Sequence, residues 1–235
     1  MQKSQKSLNS QKNQGVRYGT YRWKKVLMKY TIRGAGAPLL VLHDVEPGSG
    51  QWEWQELIYL MSQYFTVYAP DLPGYGHSSQ NEADYGNFLY VMLVKDFVED
   101  VIKSPIYFVG AGRGAAYGAM ACHFSPNYYE KLLLIAPHGA DGKAYMPQMR
   151  DQFVKWLFEF PIIGTAAYCV MAVKDGFWKH KGGKGARMAA SAWYSGYLNL
   201  NFSHKLRTIK APFLIVQKGT QSEIARQCKS FFLGK

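Results

Sequence analysis

Five short apolar runs constrain the fold more than any other feature of this chain: PLLVLHD (38–44), FTVYAP (65–70), PIYFVG (105–110), KLLLIAP (131–137) and APFLIVQKG (211–219). Most are unbroken rather than alternating, the pattern of strands covered on both faces of a parallel sheet. Between the first four runs lie stretches with helical character. SGQWEWQELIYLMSQ (49–63) places Trp52, Leu57, Leu60 and Met61 on one stripe, LYVMLVKDFVEDVIK (89–103) is helical, and GRGAAYGAMACHFS (112–125) reads as a helix of small residues. Strand and helix alternate from 38 to 136, which predicts an α/β fold with a mostly parallel central sheet and helices on both faces. The fifth run is expected to be another buried strand, followed by one short helix. Ahead of the alternation, GTYRWKKVLMKYTIRG (19–34) predicts two short strands around a basic turn.

The 235 residues divide into four expected segments. Residues 1–16 are a polar, basic tail expected to be disordered, 17–142 the core, 143–200 a helical cap, and 201–235 the return to the core. Within the cap, FVKWLFEFPIIGTAAYCVMAV (153–173) is interrupted by Pro161 and Gly164 and carries Glu159 mid-run, so two helices are expected rather than a membrane span. A helix lying in a membrane interface is the second reading. The formal net charge is +12, with nine Lys/Arg and no acid before Asp44 and a second basic cluster in KDGFWKHKGGKGAR (174–187), read as a solvated loop. A membrane surface is a candidate partner for such charge, whereas no nucleic-acid-binding pattern accompanies it. Cys122, Cys169 and Cys228 form no CxxC spacing, and no apolar leader follows the N-terminus, so a cytoplasmic protein with free thiols is expected.

Residues 107–120, YFVGAGRGAAYGAM, read as a strand entering a tight glycine turn and then a helix. Taken with LLVLHD, DLPGYGHSS (71–79) and SGYLNLNFSHKLRTIKAPFLIVQKG (195–219), in that order, this stretch resembles the α/β-hydrolase superfamily over about residues 18 to 220. The resemblance implies a nucleophile elbow at Gly110–Gly114, with the nucleophile's slot at Gly112. Gly112 has no side chain, so the elbow is degenerate. The family's acid would fall near Glu223. Its histidine would follow a further strand, but no histidine follows His204, and a C-terminally truncated fold lacking that segment is expected. An exposed sheet edge would then invite self-association. The oxyanion hole would use the N–H groups of Arg113 and, roughly, Val45, where His43-Asp44-Val45-Glu46 replaces the usual His-Gly. Arg113 is expected to pair with one of these carboxylates and fill the vacated slot.

Catalysis is therefore left with the weak candidates His43, His77 and Glu223, while His43, Asp44, Val45, Gly112 and Arg113 are the candidate oxyanion or ligand-binding residues. His43 is more simply a structural hydrogen-bonding residue, His77 and His138 polar loop residues, and Ser78 lacks the strand–turn–helix setting of a nucleophile. GAGRGA also fits a dinucleotide fingerprint, but the next strand ends without the acidic residue that binds ribose. No ligand spacing for a metal is visible, and no cofactor is expected. The leading expectation is a pseudo-hydrolase that binds a small lipophilic or acidic ligand at the elbow, under an apolar cap, or binds a protein partner. The alternatives are an active ester hydrolase with a rearranged site using His43 or His77 and a water, and a truncated relic.

Overall fold

The computed structural model describes residues 15–80, 85–143, 147–174 and 184–234. Nearly all of the expected tail 1–16, and most of the basic stretch 174–187, lie outside them. Seven strands form one sheet: β1 (Arg17–Trp23), β2 (Val26–Arg33), β3 (Ala37–Leu42), β4 (Phe65–Pro70), β5 (Ile106–Ala111), β6 (Tyr129–Ile135) and β7 (Phe213–Val216). Their order is β1-β2-β4-β3-β5-β6-β7. β1 and β2 make an antiparallel hairpin and β2 runs antiparallel to β4, while the pairs from β4 to β7 are all parallel.

The unbroken apolar strands follow from this layering. Successive side chains of a strand point to opposite faces. Leu40 and Leu42 of β3, Phe108 of β5 and Leu132 and Leu134 of β6 join one core with α2 (Asn87–Phe97) and α3 (Gly112–Phe124). Leu39, Val41, Val109, Leu133 and Ile135 join the opposite core with α1 (Gln55–Met61) and α8 (Gln221–Leu233). Each fully buried Leu or Val contributes about 1.5–3 kcal/mol relative to exposure. Three more helices, α4 (Met149–Glu159), α5 (Ile163–Lys174) and α6 (Lys184–Ser195), share a separate small core of Val154, Phe158, Tyr168, Ala186, Ala190 and Tyr194. A short turn of helix, α7 (Ser203–Leu206), leads back to β7.

Four local expectations change. The stretch 49–63 begins as a 3-10 turn, Gln51–Trp54, before α1. This rotates the stripe, so Leu57, Ile58 and Met61 are buried and Trp52 and Leu60 are only half-buried. The basic stretch 174–187 is not all loop, because its last residues open α6. β7 is not a buried strand. It is the edge of the described sheet, and Phe213, Leu214 and Ile215 are 37%, 36% and 42% exposed. The closing helix is not short, since α8 runs for 13 residues from a capping box between Thr220 and Glu223. No helix among the described residues is long and apolar enough to cross a membrane.

Candidate functional site

The parallel strands β3, β5 and β6 end side by side, with Leu42 opposite Gly110 and Gly110 opposite Leu134. Their three following loops therefore converge, and the turn into α3 lies at the centre. Gly112 has φ +54°, the left-handed conformation that a sharp strand-to-helix turn needs and that side chains disfavour. At Gly114 a Cβ would collide with the carbonyl oxygen of His43, so the glycine lets α3 start directly against the β3 loop.

The space a side chain at 112 would fill belongs to Asp44, since a Cβ on Gly112 would overlap its Oδ2. The other carboxylate oxygen, Oδ1, accepts hydrogen bonds from the backbone N–H of Arg113 at 2.9 Å and of Val45 at 2.8 Å. These two donors would form an oxyanion hole, and here they hold a carboxylate of the chain itself. The helix N-terminus that could attract an anionic ligand is filled in the same way.

Arg113 does not make the expected ion pair. Its side chain is buried, donates from Nε to Asn199 Oδ1 at 2.9 Å, and lies with its guanidinium 5.4 Å from the ring centroid of Trp193 on α6. It is the backbone of Arg113, not the side chain, that engages Asp44.

His43 has both ring nitrogens committed to backbone. Nε2 accepts from Leu72 N–H at 3.0 Å, which leaves Nδ1 as the donor to the Asp44 carbonyl at 2.5 Å. His77 sits apart, with Nδ1 3.2 Å from Asp71 Oδ2. Fully buried Asp71 also accepts from the N–H groups of Gln51 and His77 and thus pins the Pro/Gly loop. Ser78 is buried and donates to the Asp71 carbonyl while accepting from Lys29 N–H, a structural arrangement. Glu223 accepts from Thr220 N–H at 2.8 Å within the α8 capping box. Of the weak catalytic candidates, only His43 adjoins the elbow.

The structure places His138, expected as a polar loop residue, beside the turn, and adds Glu53, Tyr75, Tyr90 and Tyr117, which carried no signal in sequence. His138 follows β6, and its N–H donates to the Gly112 carbonyl at 3.1 Å. One ligand-type atom from each of Asp44, Glu46 and His138 lies within 4.8 Å of the others. Burial lowers the His138 pKa, and nearby Arg113 acts in the same direction. Burial raises the Glu53 pKa, with Asp44 and Glu46 adding to it and His43 and Ser49 opposing it. Tyr75, Tyr90 and Tyr117 donate to the carbonyls of Val45, Pro73 and Leu198. They stand as a packed row, with ring centroids 6.4 and 5.4 Å apart, tying the loops to α2, α3 and the segment after α6.

The crevice bordered by Gly48, Tyr75, Tyr168 and Ala186 encloses about 20 Å³. A hollow of about 520 Å³ lies elsewhere, between the β1–β2 hairpin and the start of α1.

With this geometry in place, comparison decides the family. The sequence profile described as "Alpha/beta hydrolase family" matches residues 39–228. The chain belongs to the alpha/beta hydrolase family. Among curated relatives, this alpha/beta hydrolase is 28% identical over 135 residues to a pimeloyl-[acyl-carrier protein] methyl ester esterase of Photobacterium profundum, covering 54% of this chain and 50% of that protein. It is 27% identical over 110 residues to an uncharacterized protein of Mycobacterium tuberculosis, covering 47% and 32%. The chain thus spans about a third to a half of the length of these relatives. Among solved structures, a haloalkane dehalogenase from Agrobacterium tumefaciens superposes with a TM-score of 0.68 at 14% identity, over 96% of this chain and 99% of that one. An alpha/beta hydrolase fold protein from Burkholderia ambifaria gives 0.67 at 15%, over 85% and 79%. At such identities the likeness is one of fold.

Proposed function

We propose that this alpha/beta hydrolase is a pseudo-hydrolase that acts by binding a small lipophilic or acidic molecule. One observation carries the reading: the Asp44 carboxylate occupies both the nucleophile's space at Gly112 and the two backbone donors of the oxyanion hole. A tetrahedral oxyanion forming there would meet a fixed negative charge instead of two free N–H groups, the reverse of the usual stabilisation. The crevice of about 20 Å³ above the loops does not suit an acyl chain. The hollow of about 520 Å³ has the size of a small-molecule site. Tyr18, Tyr30 and Ile58 offer it apolar surface, and Lys29 and Arg33 offer charge for an acidic head.

The test has two parts. Purified chain is expected to show no turnover above background on short- and medium-chain esters. Dodecanoate is expected to bind by calorimetry, and Thr20→Trp, which fills the hollow, to weaken that binding at least tenfold. Dodecanoate binding that ignores Thr20→Trp, or no binding at all, would sink the ligand site. Ester turnover abolished by His43→Ala or His77→Ala would replace the whole reading with the alternative of an active, rearranged hydrolase.

A further inference from the structure

We infer that Asp44, Glu46 and His138 form a binding site for a divalent cation at the degenerate elbow. The inference goes beyond the pseudo-hydrolase reading and does not need a ligand in the hollow beside the hairpin. Three kinds of observation point the same way. The donor set is mixed: two carboxylates and an imidazole suit a first-row divalent ion such as Mn²⁺ or Zn²⁺ rather than Mg²⁺ or Ca²⁺, which are held by oxygen. One ligand-type atom from each residue lies within 4.8 Å of the others. Ligands sharing one ion at bonds of about 2.1 Å stand about 3–3.5 Å apart, so small rotations of Glu46 and His138 would complete the set.

The groups are also available. Among the described residues, neither the Glu46 carboxylate nor the His138 ring makes a hydrogen bond, and neither Asp44 nor Glu46 makes an ion pair. Arg113, a nearby cation, directs its guanidinium to Asn199 and Trp193 rather than to either carboxylate.

Asp44 is held as a ligating carboxylate is commonly held. Its Oδ1 accepts the Arg113 and Val45 N–H groups, which fixes its plane and leaves Oδ2 for an ion. His138 is tethered from the other side by its own N–H on the Gly112 carbonyl. The absence of a side chain at 112 leaves Oδ2 its place, so the feature that removes a nucleophile also keeps the cation site open.

The experiment is a titration of tag-free protein with Mn²⁺, following the six-line signal of the free ion by electron paramagnetic resonance. One ion per chain is expected to bind, with Glu46→Gln and His138→Ala each weakening it at least tenfold. Glu130→Gln, at the far end of β6, is expected to leave it unchanged. Pulsed measurement on the bound ion is expected to show coupling to an imidazole nitrogen, lost in His138→Ala. Circular dichroism of each variant checks that the fold persists. No stoichiometric binding, or binding that neither Glu46→Gln nor His138→Ala alters, would overturn the inference.

Discussion

At the scale of single residues, the centre of this protein is the pairing of Gly112 with Asp44. Removing the carboxylate by Asp44→Ala strands two buried N–H donors, at a cost of about 1–3 kcal/mol. Gly112→Ala places a side chain at φ +54°, at about 1–2 kcal/mol, and adds the overlap with Oδ2. The double variant relieves that overlap. It is expected to be more stable than the sum of the single effects predicts, by at least about 0.5 kcal/mol, in urea unfolding measured on all four proteins. Additive losses would mean that the two residues do not share the space. Glu53 yields a pH test. Burial raises its folded pKa above the usual 4.5, so its stabilising share is complete below that pH and is lost as pH rises through the folded pKa. Glu53→Gln is therefore expected to melt higher than the parent at pH 7, with the gap closing towards pH 4. A gap that stays constant across the range would refute this assignment. The family resemblance brought Arg113 near Asp44 and Glu46, but as a side-chain ion pair; the backbone contact with Asp44 was not legible in the sequence. The elbow's glycines could be read locally, but Asp44 and Arg113 are 69 positions apart, and the register of β3 on β5 brings them together. His138 depends in the same way on β6 lying beside β5.

At the scale of elements, periodicity carried most of the fold. Continuous apolar runs marked β3, β5 and β6 because both faces of each strand are covered, and that demand is written in every residue. The same logic misread β7. An apolar run states that a strand can be buried and says nothing of whether the next element covers it, so a half-exposed edge and a central strand look alike. The stretch 153–173 forms two helices, as its sequence predicts, because Pro161 marks the break between α4 and α5. Glu223 shows how a motif position and a role come apart. The family pattern nominates it as an acid, whereas locally it is the third residue of α8, in a capping box with Thr220. Thr220→Ala is accordingly expected to cost about 1 kcal/mol of stability in chemical denaturation and to leave Mn²⁺ and dodecanoate binding unchanged. A loss of either binding with no loss of stability would return Glu223 and its neighbours to the functional site.

At the scale of the whole molecule, the described residues form three apolar clusters, and α6 joins two of them. Ala189 and Ala192 of α6 belong to the sheet's core, while Ala186, Ala190 and Tyr194 of the same helix belong to the separate core of α4 and α5. Phe158→Ala is expected to remove about 3–5 kcal/mol of packing from that separate core. Hydrogen exchange should then quicken in α4 and α5 while β3 and β5 keep their protection, because local opening need not involve the sheet. Uniformly faster exchange throughout would show one cooperative unit instead. The Asp44–Gly112 arrangement has a consequence of another kind, for descent. A mutation that places serine at position 112 meets a strained backbone and an occupied space, and a mutation that removes Asp44 first leaves buried donors without a partner. Each step is harmful on its own, so selection would discard the intermediate before the second change arrived. A lineage that carries this pair holds a one-way valve against acquiring a serine there.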